Sequence, residues 1–453
     1  MNINKYIFRG YDIRGVYPND LNKDVAYIIG RSFGTYVSKM GKKTCIVGRD
    51  NRYSSLELAS FLIEGILSTG VDVIDLGLVT TPMYYYACIL KNNPTGIMVT
   101  ASHNPKDDNG FKFAFDERGN ARGEMIEEFR DFTFKGEFIN GEGKLSNYDV
   151  RDEYIKLMLD NISLGKRPLK VILDLGNGTT TCIAKDIYYR LPIDIETLFG
   201  ESDSSFPNHH PDPCVEENLS ALKKEVLDKK ADIGIAFDGD GDRVGIIDEK
   251  GNYIPTDKYM IIIIRDIINK VKNKTFLYDV KCSKALDDEI VKLGGKSICY
   301  RTGNSYTKAK VRDDDLPFGG ELSGHVYFRD KWPGFDSGIY AGLRLVEILS
   351  HTDKPLSSLL DGISHYESTP ELKFASPDDK KFIVVDKIIN YCRGKGYDAL
   401  TIDGVRVTFN DGWALVRASN TGPNITARFE ATSKERLDEI QKEFTDLIDE
   451  YNK

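Results

Sequence analysis

The sequence predicts an α/β protein: three related α/β domains with mixed, mainly parallel sheets, followed by a C-terminal α+β domain. Two observations carry this prediction. A pattern recurs three times: an apolar strand, a polar or glycine-bearing loop, a helix, a glycine or proline, and a second strand. Strands alternating with helices build βαβ units and parallel sheets. The tail breaks the pattern, with runs that read as successive strands before one long terminal helix.

The first copy runs from strand Thr44–Gly48 through helix Ser54–Ser68 and Gly70 to strand Val71–Leu76. The second joins strand Lys170–Leu175, loop Gly176-Asn177-Gly178, helix Thr180–Tyr189 and strand Ile193–Leu198. The third joins strand Thr275–Val280, helix Ser283–Leu293, Gly294-Gly295 and strand Ser297–Arg301. In the tail, Leu400–Phe409, Trp413–Ala418 and Ile425–Ala431 read as strands and Ser433–Tyr451 as a helix. The polar stretch Asn140–Asn147 and Ser368-Thr369-Pro370 read as linkers. Domains are therefore expected at 1–150, 151–252, 253–367 and 368–453, and 453 residues are enough for several cores.

Composition removes several function classes. Acidic and basic residues are mixed along a chain of net charge -9, which excludes nucleic-acid binding through a basic face. Seven scattered cysteines without a CxxC pair indicate neither a zinc site nor a disulfide framework. A reducing, cytoplasmic setting is expected. The polar start Met1–Gly15 is no signal peptide. The greasiest run, Tyr259–Ile268, is too short to span a bilayer and holds two charges, so a buried helix is expected and no membrane partner.

Chemistry concentrates in four segments. Asp238-Gly239-Asp240-Gly241-Asp242-Arg243 follows the apolar run Ile233–Phe237. On an extended backbone, alternate carboxylates face one side. Three such groups stay ionised together around a shared hard cation, and all-oxygen ligation favours Mg²⁺, Mn²⁺ or Ca²⁺. Arg243 adds a fixed cation suited to phosphate. An EF-hand is excluded, because Arg243 stands where that loop needs glycine and the flanks read as strands. A solvated acidic turn stays open on this segment alone.

Thr100-Ala101-Ser102-His103-Asn104-Pro105 follows strand Thr95–Val99, and Lys112 supplies a cation soon after. A serine in a polar loop at a strand end is expected to be exposed and reactive. His103 beside it does not make a triad, since neighbours on a strand face opposite ways. In Gly319-Gly320-Glu321-Leu322-Ser323-Gly324-His325, an extended loop would present Glu321, Ser323 and His325 together, a set suited to sugar hydroxyls and proton transfer. Arg417-Ala418-Ser419-Asn420-Thr421-Gly422-Pro423, with Arg428, has the makings of a phosphate-holding turn. Phe8–Gly15, Lys281, Arg301 and Lys308 are weaker charged candidates, and Gly176-Asn177-Gly178 lacks the third glycine of a dinucleotide loop.

With these four motifs in this order, the chain resembles the α-D-phosphohexomutases over nearly its whole length, most closely their bacterial phosphomannomutase/phosphoglucomutase branch. The resemblance implies four domains around a central cleft. It implies a phosphoryl group on Ser102 and Mg²⁺ held by Asp238, Asp240, Asp242 and a phosphoserine oxygen. Glu321 and Ser323 would contact sugar hydroxyls, and Arg417, Ser419, Asn420 and Thr421 would grip the non-reacting phosphate with Arg428 nearby. Arg243, Arg14, His103, Lys112 and His325 would surround the reacting end, Lys112 and His325 as acid/base candidates. Tyr11 and Lys281 would approach the ligand. The implied reaction moves phosphate between the 1- and 6-positions of mannose or glucose through a hexose 1,6-bisphosphate, which also serves as activator. The enzyme would be a monomer or small homo-oligomer whose partners are hexose phosphates.

Two positions depart from the family pattern. Asn304 stands where many relatives have histidine, and Gly422 where many have an acidic or larger residue. Leu322, where amino-sugar mutases usually show glutamine, argues against a phosphoglucosamine mutase. A phosphatase with an aspartate nucleophile would leave Ser102 and both ligand loops unexplained. A phosphosugar-binding regulator with a dead site fits poorly with an intact serine and three aspartates.

Overall fold

The computed structural model describes residues 3–419 and 422–453. They divide into two compact units, one of Met1–Tyr259 with Ser323–Leu359 and one of Met260–Leu322 with Leu360–Lys453.

The first unit holds two sheets. Six strands lie in the order Ile13–Val16, Asp108–Ala114, Gly96–Val99, Thr44–Arg49, Asp72–Leu78 and Leu145–Asn147. The last four are mutually parallel, while the first two pair antiparallel. Helices Lys23–Lys39 and Ser55–Leu67 pack face to face at Gly30 and Gly65, where an added Cβ would strike the opposing backbone. The antiparallel hairpin formed by Gly96–Val99 and Asp108–Ala114 fixes where Ser102 sits, because the serine loop is its connection.

The second sheet runs Tyr253–Ile254, Val244–Asp248, Ile233–Phe237, Lys170–Asp174 and Asp194–Leu198. Ile233–Phe237 is buried at every residue, as expected of an inner strand covered on both faces. It forms an antiparallel hairpin with Val244–Asp248, so the aspartate-rich segment is a hairpin connection. Helix Gly338–Ser350 packs on these strands, and its first residue donates N–H to Gly241 O at 3.0 Å. A side chain at Gly342 would run into Ile235 and Tyr188, so glycine permits this approach. The single helix expected over Thr180–Tyr189 is instead a 3₁₀ turn, Thr179–Cys182, and a short helix, Ala184–Tyr188. Three consecutive threonines and a cysteine are poor helix formers, which accounts for the break.

In the second unit, parallel strands Lys296–Tyr300, Thr275–Asp279 and Phe318–Gly320 carry helices Lys284–Lys292 and Asn304–Asp313. The tail forms an antiparallel sheet in which Asn424–Ala431, Gly412–Ala418, Val405–Phe409 and Asp398–Leu400 are successive neighbours, and Glu367–Ser368 and Leu372–Ala375 pair with the outer edge. Leu400–Phe409 is thus not one strand. It is interrupted at Gly404, which has φ +74 and no room for a Cβ against Val416 O and Arg417. Helix Lys381–Lys395 was not anticipated from its weak apolar periodicity. Its punctuation was legible, however: Pro377 at its start and Gly396, at φ +70, at its end. That helix and Lys434–Tyr451 cover the sheet through a core that includes Val384, Ile388, Phe429, Ile440 and Phe444.

His209 ties the loop after strand Asp194–Leu198 to the first unit's second sheet. Its Nε2 lies 3.1 Å from both oxygens of buried Asp174. Burial opposes the imidazolium, but the hydrogen bond and charge of Asp174 prevail and raise its pKa above the ordinary value. A histidine with a raised folded pKa stabilises the fold below its unfolded pKa and loses that contribution as pH rises through the folded value. His209→Gln should therefore lower Tm more at about pH 6 than at about pH 9. Equal losses at the two pH values would show that the pair's charge adds nothing.

Candidate active site

Asp238, Asp240 and Asp242 bring ligand oxygens within 4.8 Å of one another, and all three side chains are buried. They do not sit on an extended backbone. The segment is a tight turn in which Asp238 Oδ1 accepts from the backbone N–H of Gly241 at 3.0 Å and of Arg243 at 3.2 Å. Gly241, at φ +81, supplies the left-handed residue that this turn needs. The clustering expected from alternation is therefore achieved by side-chain capping of a turn.

The serine loop meets this turn. Ser102 Oγ donates to Asp238 Oδ2 at 2.7 Å. A Cβ on Gly239 would stand 2.5 Å from Ser102 O, so only glycine lets the two loops approach so closely. Ser102 itself is buried, contrary to the exposed serine expected, and adopts φ +53. A non-glycine residue there costs roughly 1–2 kcal/mol. The hydrogen bond to a carboxylate, about 1.5–3 kcal/mol, offsets that cost. The opposite-facing rule fails for His103 because the backbone is no longer a strand here: His103 Nδ1 lies 3.4 Å from Ser102 Oγ.

Lys112, on strand Asp108–Ala114, donates to Asp240 Oδ2 at 2.8 Å and to Asp242 Oδ2 at 2.7 Å. Burial disfavours its charge, but these two carboxylates outweigh burial and raise its pKa well above the usual value. Thr81 and Thr100 add bonds of 2.6 and 3.1 Å to the same Asp240 oxygen. Asp240 is held low despite burial, mainly by Lys112. Asp238 has only the more distant Arg243, 4.0 Å away; burial, then Asp242 and Asp240, outweigh it and push Asp238 well above the carboxylate range. His103 is pushed well below its ordinary value by burial and by Arg243 and Arg14.

Arg243 Nε donates to His325 Nε2 at 2.9 Å, and His325 Nδ1 lies 2.8 Å from Asp336 Oδ2. With Nε2 accepting, the proton resides on Nδ1 and Asp336 fixes the tautomer. Asp336, which sequence reasoning missed, immediately precedes Ser337, the N-cap of helix Gly338–Ser350. Arg14 Nε bonds Asp12 Oδ2 at 2.8 Å, while Tyr11 lies half-buried in the same turn. Among the described residues, the buried atoms without a hydrogen-bond partner include Arg14 Nη1, Asp240 Oδ1 and Asp242 Oδ1. Acceptors left open on carboxylates and a donor left open on a guanidinium suit a cation and an anion respectively. An all-oxygen donor set of three carboxylates and a serine fits Mg²⁺.

The second unit holds a separate cluster. Arg417 Nε and Nη2 meet Asp403 at 3.0 and 3.3 Å, and Asp403 also accepts from Thr302 N at 3.1 Å. Lys281 Nζ lies 3.6 Å from Glu371, with Asp279, Arg417 and Glu321 near enough to act on its charge. Glu321 Oε1 accepts from Gly303 N and Thr307 Oγ1, each at 2.6 Å. A turn over residues 322–324 replaces the extended loop expected there, and Ser323 and His325 belong to the first unit. Arg428 donates to Lys281 O, so it shapes the lysine's loop. Arg406, also missed, donates to Val280 O and Cys282 O on either side. Ser419 is buried, and Lys381 bonds its carbonyl at 2.7 Å. Asn420 and Thr421 lie outside the described residues. Asn304 opens helix Asn304–Asp313, and Gly422 N donates to Ser419 Oγ at 3.2 Å.

Models of the four phosphoglucomutase/phosphomannomutase domains match the chain in order: α/β/α domain I at residues 5–140, domain II at 152–251, domain III at 255–366 and the C-terminal domain at 371–447. The chain is 39% identical to a phosphomannomutase/phosphoglucomutase of Pseudomonas aeruginosa, covering 98% of this chain and 95% of that protein. It is 38% identical to a phosphoglucomutase of Neisseria meningitidis, covering 99% and 98%. A crystal structure of a phosphoglucomutase/phosphomannomutase family protein from Burkholderia thailandensis superposes with TM-score 0.91 at 39% identity, over 98% of this chain and 97% of that one.

The open carboxylate oxygens lead to a direct test. Asp240→Asn should weaken Mg²⁺ binding, read calorimetrically, and lower turnover at least about 10²-fold. Unchanged metal affinity would remove Asp240 from the site.

Proposed function

The chain belongs to the phosphoglucomutase/phosphomannomutase family, and on that premise we propose that Ser102 carries the phosphoryl group in a reversible transfer between the 1- and 6-positions of mannose or glucose phosphate. The protein is an isomerase of the phosphomutase type. The observation that carries the assignment is the buried Ser102 hydroxyl on Asp238, beside unpartnered oxygens of Asp240 and Asp242. A structural serine has no need of two uncompensated carboxylate oxygens next to it.

Phosphoserine gives its phosphoryl to the sugar 6-hydroxyl of a 1-phosphate. The Oγ–P bond breaks, the O6–P bond forms, and the hydroxyl proton passes to a base. The 1,6-bisphosphate then turns end over end and returns its other phosphoryl to Ser102. Mg²⁺, held by Asp238, Asp240, Asp242 and a phosphoserine oxygen, would supply neutralising charge when bound. Arg14 and Arg243 place further positive charge at the reacting end, as loose phosphoryl transfer requires. Lys112, expected as an acid or base, is held charged by two aspartates and acts here as a charge stabiliser. His103, kept neutral and 3.4 Å from Ser102 Oγ, is the better proton carrier at that oxygen. His325 presents Nε2 beside Arg243 with its proton fixed on Nδ1, a second position that can accept a proton.

Glu321 and Ser323 are assigned to sugar hydroxyls, and Arg417 to the remote phosphate. Ser419, Asn420 and Thr421 are assigned to the same phosphate, Lys281 and Tyr11 to ligand contact, and Arg428 to the support of Lys281 through its carbonyl. The four domains are taken as 1–150, 151–252, 253–367 and 368–453. Hexose 1,6-bisphosphate is the activator that primes Ser102, and hexose phosphates are the partners of a cytoplasmic monomer or small homo-oligomer. No helix among the described residues is long and apolar enough to cross a membrane.

Coupled turnover on mannose 1-phosphate and glucose 1-phosphate, with Mg²⁺ and a trace of glucose 1,6-bisphosphate, tests this reading. Conversion to the 6-phosphate without release of inorganic phosphate is expected. Ser102→Ala should lose nearly all turnover yet still bind sugar phosphate, and activity near that of wild type would refute the phosphoserine. Arg417→Ala should raise KM by roughly 10- to 100-fold with kcat changed far less, because it acts on the non-reacting end. A fall in kcat alone would misplace the clamp.

A further inference from the structure

The segment Asp50-Asn51-Arg52-Tyr53-Ser54-Ser55 takes no part in the reaction described above, yet it reaches both loops that make the site. Arg52 is buried, and its guanidinium donates to four backbone carbonyls of the nucleophile loop. Nη2 reaches Ser102 O at 2.8 Å and Asn104 O at 2.6 Å, while Nη1 reaches Pro105 O at 2.5 Å and Asp108 O at 3.0 Å. Nε lies 3.3 Å from Asp50 Oδ2. Asp50 is fixed in turn: Oδ1 accepts from Arg52 N at 3.1 Å and from the Ser55 hydroxyl. Asn109, buried at the far end of the loop, donates to the hydroxyls of Ser54 and Ser55 at 2.8 and 2.9 Å. The ring of Phe206 lies 5.5 Å from the Arg52 guanidinium carbon.

Asn51 faces the other loop. Its Nδ2 donates to Asn177 O at 2.8 Å, and its N–H to Thr179 Oγ1 at 3.2 Å. Thr179 N in turn donates to Gly239 O at 2.9 Å, within the aspartate turn. Adjacent residues therefore hold the backbone of the nucleophile loop directly and that of the aspartate turn through one intermediary.

Between Gly96–Val99 and Asp108–Ala114, the nucleophile loop's own bonds include Asn104 N to Ala101 O and Asp108 N to Pro105 O, each 3.0 Å, and Ser102 N to Thr100 Oγ1 and Asn104 Nδ2 to Asp108 Oδ2, each 2.8 Å. Pro105 O already accepts from Asp108 N, so Arg52 is a second donor there and adds bonds to Ser102 O, Asn104 O and Asp108 O; the five donors of a planar guanidinium fork can serve four carbonyls at once where the three of an ammonium cannot. We infer that Arg52, anchored by Asp50, is a positioning residue that holds Ser102 in its left-handed conformation with Oγ on Asp238, and that Asn51 sets the aspartate turn in register with it. This inference rests on the phosphoserine reading of the same site.

The test uses the full chain carrying Arg52→Lys and, separately, Asp50→Asn, which leaves the four carbonyl bonds intact but loosens their anchor. Tm, KM and kcat for glucose 1-phosphate are measured, with the equilibrium extent of Ser102 phosphorylation by hexose 1,6-bisphosphate read from intact mass. A displacement of about an ångström costs on the order of 10²-fold in rate. Arg52→Lys is expected to lower kcat by about that factor with KM within about threefold, and to lower Ser102 phosphorylation, with Tm still well above the assay temperature. Asp50→Asn should show a smaller loss of the same kind, and it carries the test if Arg52→Lys does not fold. Unchanged kcat in a folded variant, or a loss that only follows the unfolded fraction, overturns the inference. Absence of both turnover and Ser102 phosphorylation in wild type would instead overturn the phosphoserine reading.

Discussion

Three buried carboxylates within 4.8 Å of one another are the constraint from which the first unit's architecture follows. At an effective dielectric of about 20, two unit charges 4 Å apart repel by about 4 kcal/mol, and burial adds a desolvation cost to each. Such a cluster persists only if its surroundings over-determine it. Asp238 is fixed by two backbone N–H groups, Asp240 by Thr81, Thr100 and Lys112, and Asp242 by Lys112. The glycines between them are needed for different reasons. Gly241 provides a left-handed turn residue, and Gly239 leaves room for the serine loop. Helix Gly338–Ser350 holds the turn through Gly241 O and delivers Asp336 to His325.

The same burial moves neighbouring groups in opposite directions, according to their partners. Lys112 gains more from two carboxylates than it loses to desolvation, so it stays a cation. His103 faces Arg243 and Arg14, so burial and repulsion act together and keep it neutral. Asp238, with only Arg243 at 4.0 Å to oppose burial and its two neighbours, is driven toward protonation, whereas Asp240 beside Lys112 is not. Groups whose environments separate their protonation states are what acid, base and electrostatic roles require. The proposed division between His103 as proton carrier and Lys112 as fixed charge rests on those partners.

The α/β class, the hairpin flanks of the aspartate segment and the residues around Ser102 were legible because they depend on local chemistry: apolar runs, glycine punctuation and clustered carboxylates. What stayed hidden depended on loops leaving the strand conformation. Strand alternation holds for none of Asp238–Asp242, Glu321–His325 and the Ser102-His103 pair: the first two segments are turns, and Ser102 lies at φ +53. Arg52, Asp336, Asp403 and Arg406 escaped notice because each acts on a partner distant in sequence, and three of them sit in stretches with no motif-like composition. Arg52 had the strongest local signal, an arginine between acidic and hydroxyl residues at the end of an apolar strand. A surface cluster has the same composition, and only burial separates the two.

The unsatisfied atoms of the first unit connect stability to function. Leaving a buried polar group without a partner costs about 1–3 kcal/mol, and Arg14 Nη1, Asp240 Oδ1 and Asp242 Oδ1 are three such groups. Together these amount to a sizeable share of the 5–15 kcal/mol by which domains are typically stable. Ligands that supply a cation to the carboxylates and an anion to the guanidinium relieve this cost on binding. The relief is greatest where charge is concentrated, at a phosphoryl group near Ser102, and an uncharged sugar would gain none of it. Affinity for an anion at this point would therefore draw on hydrogen-bonding capacity already present in the folded protein.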